Sequence, residues 1–242
     1  MECVIQVSGL AKSYSGKQII EEIDISVLKG EVYGLLGPNG AGKSTTVECM
    51  LGTRKADRGT VTILGLDPVR DRKKLFEHVG VQFQDANYAD KIRVEELCEE
   101  TACLYSDYAD YESLLQSFDL QDKKTTFISE LSGGQRQRLF IILALIPNPE
   151  VVFLDELTSG LDVKARRSVW KSLLKLKQQG MTIFLTSHFM DEVEMLCDRI
   201  GVLKGGRMAY TGTVKEFVGL SPYDKLEDAY LWFTGEEEAD EK

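Results

Sequence analysis

The chain opens on an alternation of apolar and polar positions. Val4, Ile5 and Val7 are apolar, and Ile23, Ile25 and Val27 alternate with polar residues. A period of two predicts half-buried strands. Lys29-Gly30-Glu31 reads as a turn, and residues 32–36 as a short buried strand that runs directly into a glycine-rich loop. Residues 45–51 continue as a helix that Gly52 ends, and residues 60–64 and 79–82 read as further strands. From 85 to 122 the texture turns acidic and helix-like, with Glu95, Glu96, Glu99 and Glu100 as a solvated charged face. Residues 138–146 form a more apolar helix closed by Pro147-Asn148-Pro149. Residues 151–154 are an apolar strand ending in two carboxylates. Asp162 is placed to cap the next helix, whose apolar face is Trp170, Leu173, Leu174 and Leu176, with Gly180 just beyond its end. Residues 181–185 are another buried strand. Residues 199–203 and 208–211 flank Lys204-Gly205-Gly206-Arg207, a hairpin signal.

Composition narrows the class. A chain of 242 residues with 43% apolar and 28% charged positions suits one α/β domain, or one with an inserted subdomain. The longest apolar run, residues 139–146, falls short of the roughly 20 residues a membrane span needs. The first residues lack the basic and then apolar regions of a signal peptide, so a cytoplasmic location is expected. Five scattered cysteines without a CxxC pair, and two histidines, read as reduced thiols rather than a zinc site. A net charge of −10 argues against non-specific nucleic-acid binding.

Three motifs carry chemistry. The first, Gly37-Pro38-Asn39-Gly40-Ala41-Gly42-Lys43-Ser44, fits GxxxxGK[ST] between a strand and a helix, the context that confirms a phosphate-binding loop. Its glycines let backbone approach phosphates, and its N–H groups face the anion. Lys43 is the candidate partner of the β- and γ-phosphates, Ser44 a candidate Mg²⁺ ligand, and Thr45 continues the nucleotide-binding set. The second is the strand ending in Asp155-Glu156. Asp155 is placed to hold Mg²⁺, and Glu156 to polarise the attacking water. Alone, an apolar strand ending in two acids is weak; about 110 residues after a phosphate loop it is strong. The third is Leu131-Ser132-Gly133-Gly134-Gln135-Arg136-Gln137-Arg138, a second anion-binding helix terminus that also fits a plain helix cap, since Ser132 is a good capping residue.

LSGGQ-x-QR shortly before an Asp-Glu strand resembles the signature of the ATP-binding cassette (ABC) family, and the resemblance covers nearly the whole chain. It implies a P-loop NTPase core, residues 1–84 and 149–242, with an antiparallel β region near the N-terminus. An inserted helical subdomain is implied at 85–148. It also implies a head-to-tail dimer in which Ser132, Gly133, Gly134 and Gln135 of one subunit close on ATP held by the phosphate loop of another. By the same resemblance Tyr14 stacks on adenine, and Gln84 senses Mg²⁺ and the attacking water. His188 contacts the γ-phosphate, and Asp162 lies in the loop that communicates between sites. The implied partners are a separate transmembrane permease and a second nucleotide-binding subunit, a homodimer being favoured because Glu156 and His188 are both present. The chain would sit on the cytoplasmic face of the membrane.

Two positions depart from the family: Leu157 and Val163 stand where proline is common. Their replacement removes no catalytic group but is expected to loosen the loop after Glu156. Phe83, Tyr88, Tyr105, Tyr108 and Tyr111 fit either local packing or the border of a groove that takes a short helix of a membrane partner. The whole pattern most resembles subunits serving multidrug or antibiotic-exporter permeases, which favours export. ABC ATPases that act on DNA, on ribosomes or as regulators are the alternative class, disfavoured by the single cassette and acidic balance. A non-hydrolysing ATP switch is a third, disfavoured by the intact catalytic set.

Overall fold

The computed structural model describes residues 2–83, 88–89, 91–158 and 160–235. Gln84 lies outside these residues. In chain order the first elements are β1 (Cys3–Tyr14), β2 (Lys17–Leu28), β3 (Val32–Leu36), α1 (Lys43–Met50), β4 (Arg58–Ile63), α2 (Arg72–Leu75) and β5 (Val79–Gln82). Three helices follow, α3 (Val94–Ala102), α4 (Tyr111–Ser117) and α5 (Gly133–Leu145). The remainder is β6 (Val151–Asp155), α6 (Val163–Gln178), β7 (Thr182–Ser187), α7 (Met190–Leu196), β8 (Arg199–Lys204), β9 (Arg207–Thr213), α8 (Val214–Gly219) and α9 (Leu226–Thr234).

Two sheets form. β2, β1 and β4 make an antiparallel sheet in that order. The larger sheet has the order β5-β6-β7-β3-β8-β9; all its neighbours are parallel except the β8–β9 hairpin. Its inner strands are apolar on both faces, as a parallel sheet covered on both sides requires. The period of two decides which side each residue serves. Phe153 and Phe184 point into a core shared with the antiparallel sheet and α1, where Tyr33 stacks on Phe184 at 5.6 Å and Phe153 meets it at 5.3 Å. Val152, Leu154, Ile183 and Leu185 point the other way, against α3, α5 and α6. A third cluster joins Leu36, Ile200 and Val202 to α7, α8 and α9 through Val193, Phe217, Leu226 and Tyr230. A Cβ on Gly80 would come within 1.9 Å of the Ala144 carbonyl oxygen, so a glycine is what lets α5 press onto β5.

Strands 32–36 and 79–82 fall where the periodicity predicts them, and other boundaries move for local reasons. The acidic stretch is less helical than its composition suggests: α3 and α4 are separated by turns, because the Asp110 carboxylate accepts from the amides of Glu112 and Ser113 and restarts the helix. α5 starts at Gly133 rather than 138, since Ser132 caps it. β7 extends to Ser187. The helices α7, α8 and α9 have no counterpart in the sequence reading. Among the described residues no helix is long and apolar enough to cross a membrane.

Candidate active site

β3, β6 and β7 end side by side: Leu36 pairs with Ser187, and Asp155 with Thr186. The carboxyl edge of a parallel sheet is where such folds bind ligands, and the segments carrying the phosphate loop, Asp155-Glu156 and His188 leave the sheet there. β3 turns through the phosphate loop into α1. Gly42 takes φ +104, and a Cβ there would sit 3.0 Å from the Ile19 carbonyl oxygen, so the position needs glycine twice over. Lys43 is only 5% exposed, and its ammonium donates to the carbonyls of Gly37 (2.7 Å) and Pro38 (3.2 Å). Burial lowers its pKa, while Glu156 and Asp155 act to raise it. Thr46 ties the start of α1 down through its hydroxyl, which donates to the Gly42 carbonyl at 2.8 Å.

At the end of β6, Asp155 is buried and accepts from the Thr186 hydroxyl. Desolvation pushes its carboxyl pKa up; hydrogen bonds from Thr186 and Ser44 oppose that. The next residue, Glu156, holds φ +48, an unfavourable conformation for a side-chain-bearing residue. Its amide is anchored by the Thr186 hydroxyl (3.0 Å) and carbonyl (3.2 Å). Thr186 therefore serves both acids at once. His188 follows β7, with Nδ1 3.8 Å from Glu156 Oε1.

Tyr14 forms the opposite wall, 37% exposed. Lys12 Nζ and Arg54 Cζ each lie 5.3 Å from its ring centroid. Asp57 fixes this corner by accepting from Lys12 Nζ (2.8 Å) and the Ser13 amide (2.7 Å), and Glu48 grips Arg54 through both carboxylate oxygens. A cleft of about 560 Å³ results, lined by Tyr14, Asn39, Lys43, Ser44, Glu156 and His188 among others.

Several expected residues lie outside this cleft. Ser132 caps α5, accepting from the Gln135 amide at 3.3 Å, while Gln135 Oε1 accepts from the Ser132 amide at 2.9 Å. Gly134 packs so closely on α6 that a Cβ would come within 2.7 Å of Ala165 Cβ. Asp162 caps α6 by accepting from the Ala165 amide at 2.8 Å. None of Ser132, Gly133, Gly134, Gln135 and Asp162 lines the cleft. Gln84 falls outside the described residues. Leu157 is fully buried in the helical core, and Val163 is the exposed first residue of α6. Of the aromatic positions, Tyr88 rests against Phe140 at 5.2 Å, and Tyr111 packs on the helical core. Thr186 was missed by sequence reasoning; the only signal was a hydroxyl at the end of an apolar strand.

A family model for ABC transporters matches residues 20–159. The Nod factor export ATP-binding protein I of Rhizobium etli is 38% identical over 223 residues, 88% of this chain and 69% of that protein. The Nod factor export ATP-binding protein I of Mesorhizobium japonicum is 41% identical over 213 residues, 84% of this chain and 61% of that protein, so this chain is shorter than both relatives. Among solved structures, an ATP-binding subunit of an ABC transporter superposes with a TM-score of 0.85 at 27% identity, over 96% of this chain and 99% of that one. A bacterial ABC transporter cassette solved as a dimer shares the fold, with a TM-score of 0.76 at 24% identity, over 86% of this chain and 98% of that one. With the family model spanning the phosphate loop, the signature and the paired acids, the chain belongs to the ABC transporter family as an ATP-binding, ATP-hydrolysing cassette.

Proposed function

We propose that two copies of this chain, placed head to tail, bind two ATP molecules between them and drive a separate transmembrane permease in the export direction. The observation that carries this is the convergence of Tyr14, Lys43, Ser44, Glu156 and His188 on one cleft, while the anion-binding terminus at Ser132 stands apart from it. A signature with no role in its own cleft makes sense if it serves a partner's. Export is supported by the rhizobial relatives, which are Nod factor export ATP-binding proteins, and dimerisation by the dimeric cassette of the same fold.

Each residue then has a task. Tyr14 stacks on the adenine, held in place by the Lys12, Arg54 and Asp57 contacts. The loop from Gly37 through Pro38, Asn39, Gly40, Ala41 and Gly42 to Thr45 wraps the phosphates, and Lys43 exchanges its loop carbonyls for phosphate oxygens. Ser44 and Asp155 fit Mg²⁺: a hydroxyl and a carboxylate, already hydrogen-bonded to each other, are the hard oxygen donors this cation takes. Gln84 completes that set in the same reading. Bound there, Mg²⁺ neutralises phosphate charge. Glu156 receives the proton of the attacking water, and His188 steadies the γ-phosphate beside it. Asp162 holds the loop after Glu156 onto α6. Residues 85–148 act as a helical subdomain carrying the signature, and residues 1–84 and 149–242 as the core. The subunit sits on the cytoplasmic face of the membrane and touches it only through the permease.

The test is a pull-down from detergent-solubilised membranes with tagged Glu156→Gln chain, with and without Mg-ATP. Recovery of a polytopic membrane protein supports the transport reading. Recovery of ribosomal or DNA-associated partners alone removes it and leaves the ATPase.

A further inference from the structure

Glu192, on α7, is a buried acid that no step above uses. It is 1% exposed and does not line the cleft. Trp170 Nε1 on α6 donates to its Oε1 at 3.1 Å. The Ser187 hydroxyl also bonds it, and the Thr158 hydroxyl lies beside it. Ser187 in addition accepts from the Phe189 amide at 3.0 Å, so the one hydroxyl joins Glu192 to the backbone that flanks His188. Nearby, Arg166 lies over the Phe189 ring at 4.2 Å and pairs with Asp191 at 3.2 Å, closing the same segment from outside.

The placement follows from strand geometry. Successive side chains of a strand point to opposite faces. Thr186 therefore turns to Asp155 and the Glu156 amide, while Ser187 turns to Glu192. Thr158, two residues after Glu156, is buried beside the same acid, its hydroxyl in contact without a hydrogen bond. Glu192 thus touches both segments that leave the sheet next to the hydrolytic pair. A buried acid is costly unless its oxygens are bonded; here the α6 indole and the Ser187 hydroxyl bond the carboxylate, and the Thr158 hydroxyl packs beside it.

We propose that Glu192 is a positioning residue for hydrolysis, holding the segment that carries His188 in register with the segment that follows Glu156. The proposal rests on reading His188 and Glu156 as the hydrolytic pair. It places the effect of Glu192 on turnover and not on nucleotide capture, because none of its contacts reaches the phosphate loop or Tyr14.

The experiment is steady-state ATPase kinetics on the full chain for Glu192→Ala, Glu192→Gln, His188→Ala and the double variant Glu192→Ala/His188→Ala, with melting temperatures alongside. Glu192→Ala is expected to lower kcat about tenfold with KM for ATP within twofold. Glu192→Gln, which keeps an acceptor for Trp170, is expected to lower kcat about threefold. The double variant is expected to be no slower than His188→Ala alone, since groups acting through one another are not additive. Wild-type kcat in folded Glu192→Ala, or losses that multiply in the double variant, overturns the proposal. Should Glu192→Ala fail to fold, Glu192→Gln decides on the same kcat and KM criteria. Wild-type turnover in His188→Ala removes the hydrolytic reading itself and the proposal with it, a result distinct from a silent Glu192 beside a crippled His188.

Discussion

His188 Nδ1 stands 3.8 Å from Glu156 Oε1, across the mouth of a cleft whose floor is the buried Lys43 ammonium. The glutamate projects from a backbone at φ +48, and its amide is held by Thr186. Its side chain is thereby aimed before any ligand arrives. Glu156→Gln keeps the shape and loses the proposed proton acceptor. ATP binding is expected to stay within twofold of wild type while phosphate release falls on the order of 10²–10⁴-fold, the usual worth of a positioned general base. Equilibrium ATP binding and a phosphate-release assay on one preparation check both halves, and ordinary turnover removes Glu156 from the chemistry.

Thr186 predicts a different pattern. Its hydroxyl donates to Asp155 and accepts from the Glu156 amide, so Thr186→Val removes a partner from two groups while keeping the volume. An unsatisfied buried polar group costs about 1–3 kcal/mol. The variant is expected to melt several degrees lower and to lose turnover as well, because Asp155 and the Glu156 backbone lose one anchor together. Calorimetry and kcat on the same sample test this; a lowered melting temperature with unchanged kcat would mean that the anchor serves only the fold.

How much of this was readable beforehand varies with the physics. Motifs whose chemistry is local were legible. The phosphate loop needs glycines at fixed offsets, and the signature needs a capping serine at a helix start. Both signals lie in a few adjacent residues, and the structure places Gly42 and Ser132 accordingly. Short, largely apolar strands were legible too, because burial on both faces of a parallel sheet leaves no other residue choice. Relations between elements distant in sequence were not. Thr186 meets Asp155 31 residues away, and Glu192 meets Trp170 22 residues away. Nothing in either segment marks its partner. The short helices α7 and α8 escaped for a related reason: their apolar faces fit only against β8 and α9, and a turn or two of helix shows too little periodicity.

Acid tests the corner behind Tyr14. The carboxyl of Asp57 is brought from an ordinary 3.8 to about 2 by hydrogen bonds from Lys12 and Ser13. Its folded pKa lies below its unfolded one, so its contribution to stability is fully present above about pH 4. That contribution is lost as the pH falls toward 2. Asp57→Asn is therefore expected to lower stability near neutrality and to flatten the acid limb of the melting-temperature profile between these values. A profile parallel to wild type throughout would show that the pair does not persist in solution. Because Asp57 also holds the Ser13 amide next to Tyr14, a higher KM for ATP with little change in kcat is expected in the same variant.

The proposed head-to-tail dimer makes a prediction that two neighbouring glycines separate. A Cβ on Gly134 would meet Ala165 Cβ at 2.7 Å, so substitution there disturbs the fold and reports nothing about a partner. A Cβ on Gly133 meets nothing within 4 Å, and the residue is the first of α5, where an acid is favourable to the helix dipole. Gly133→Asp should therefore leave the monomer intact while placing a carboxylate where a partner's triphosphate is proposed to dock. In the Glu156→Gln background, ATP is expected to shift the unsubstituted chain to a dimer in size-exclusion chromatography with light scattering. With Gly133→Asp added, it is expected to remain a monomer that binds ATP with unchanged affinity. An ATP-driven dimer that survives Gly133→Asp would place the signature outside the interface. Loss of the dimer together with loss of monomer ATP binding would point instead to damage within one subunit, since Gly133 stands outside the cleft that holds Lys43 and Glu156.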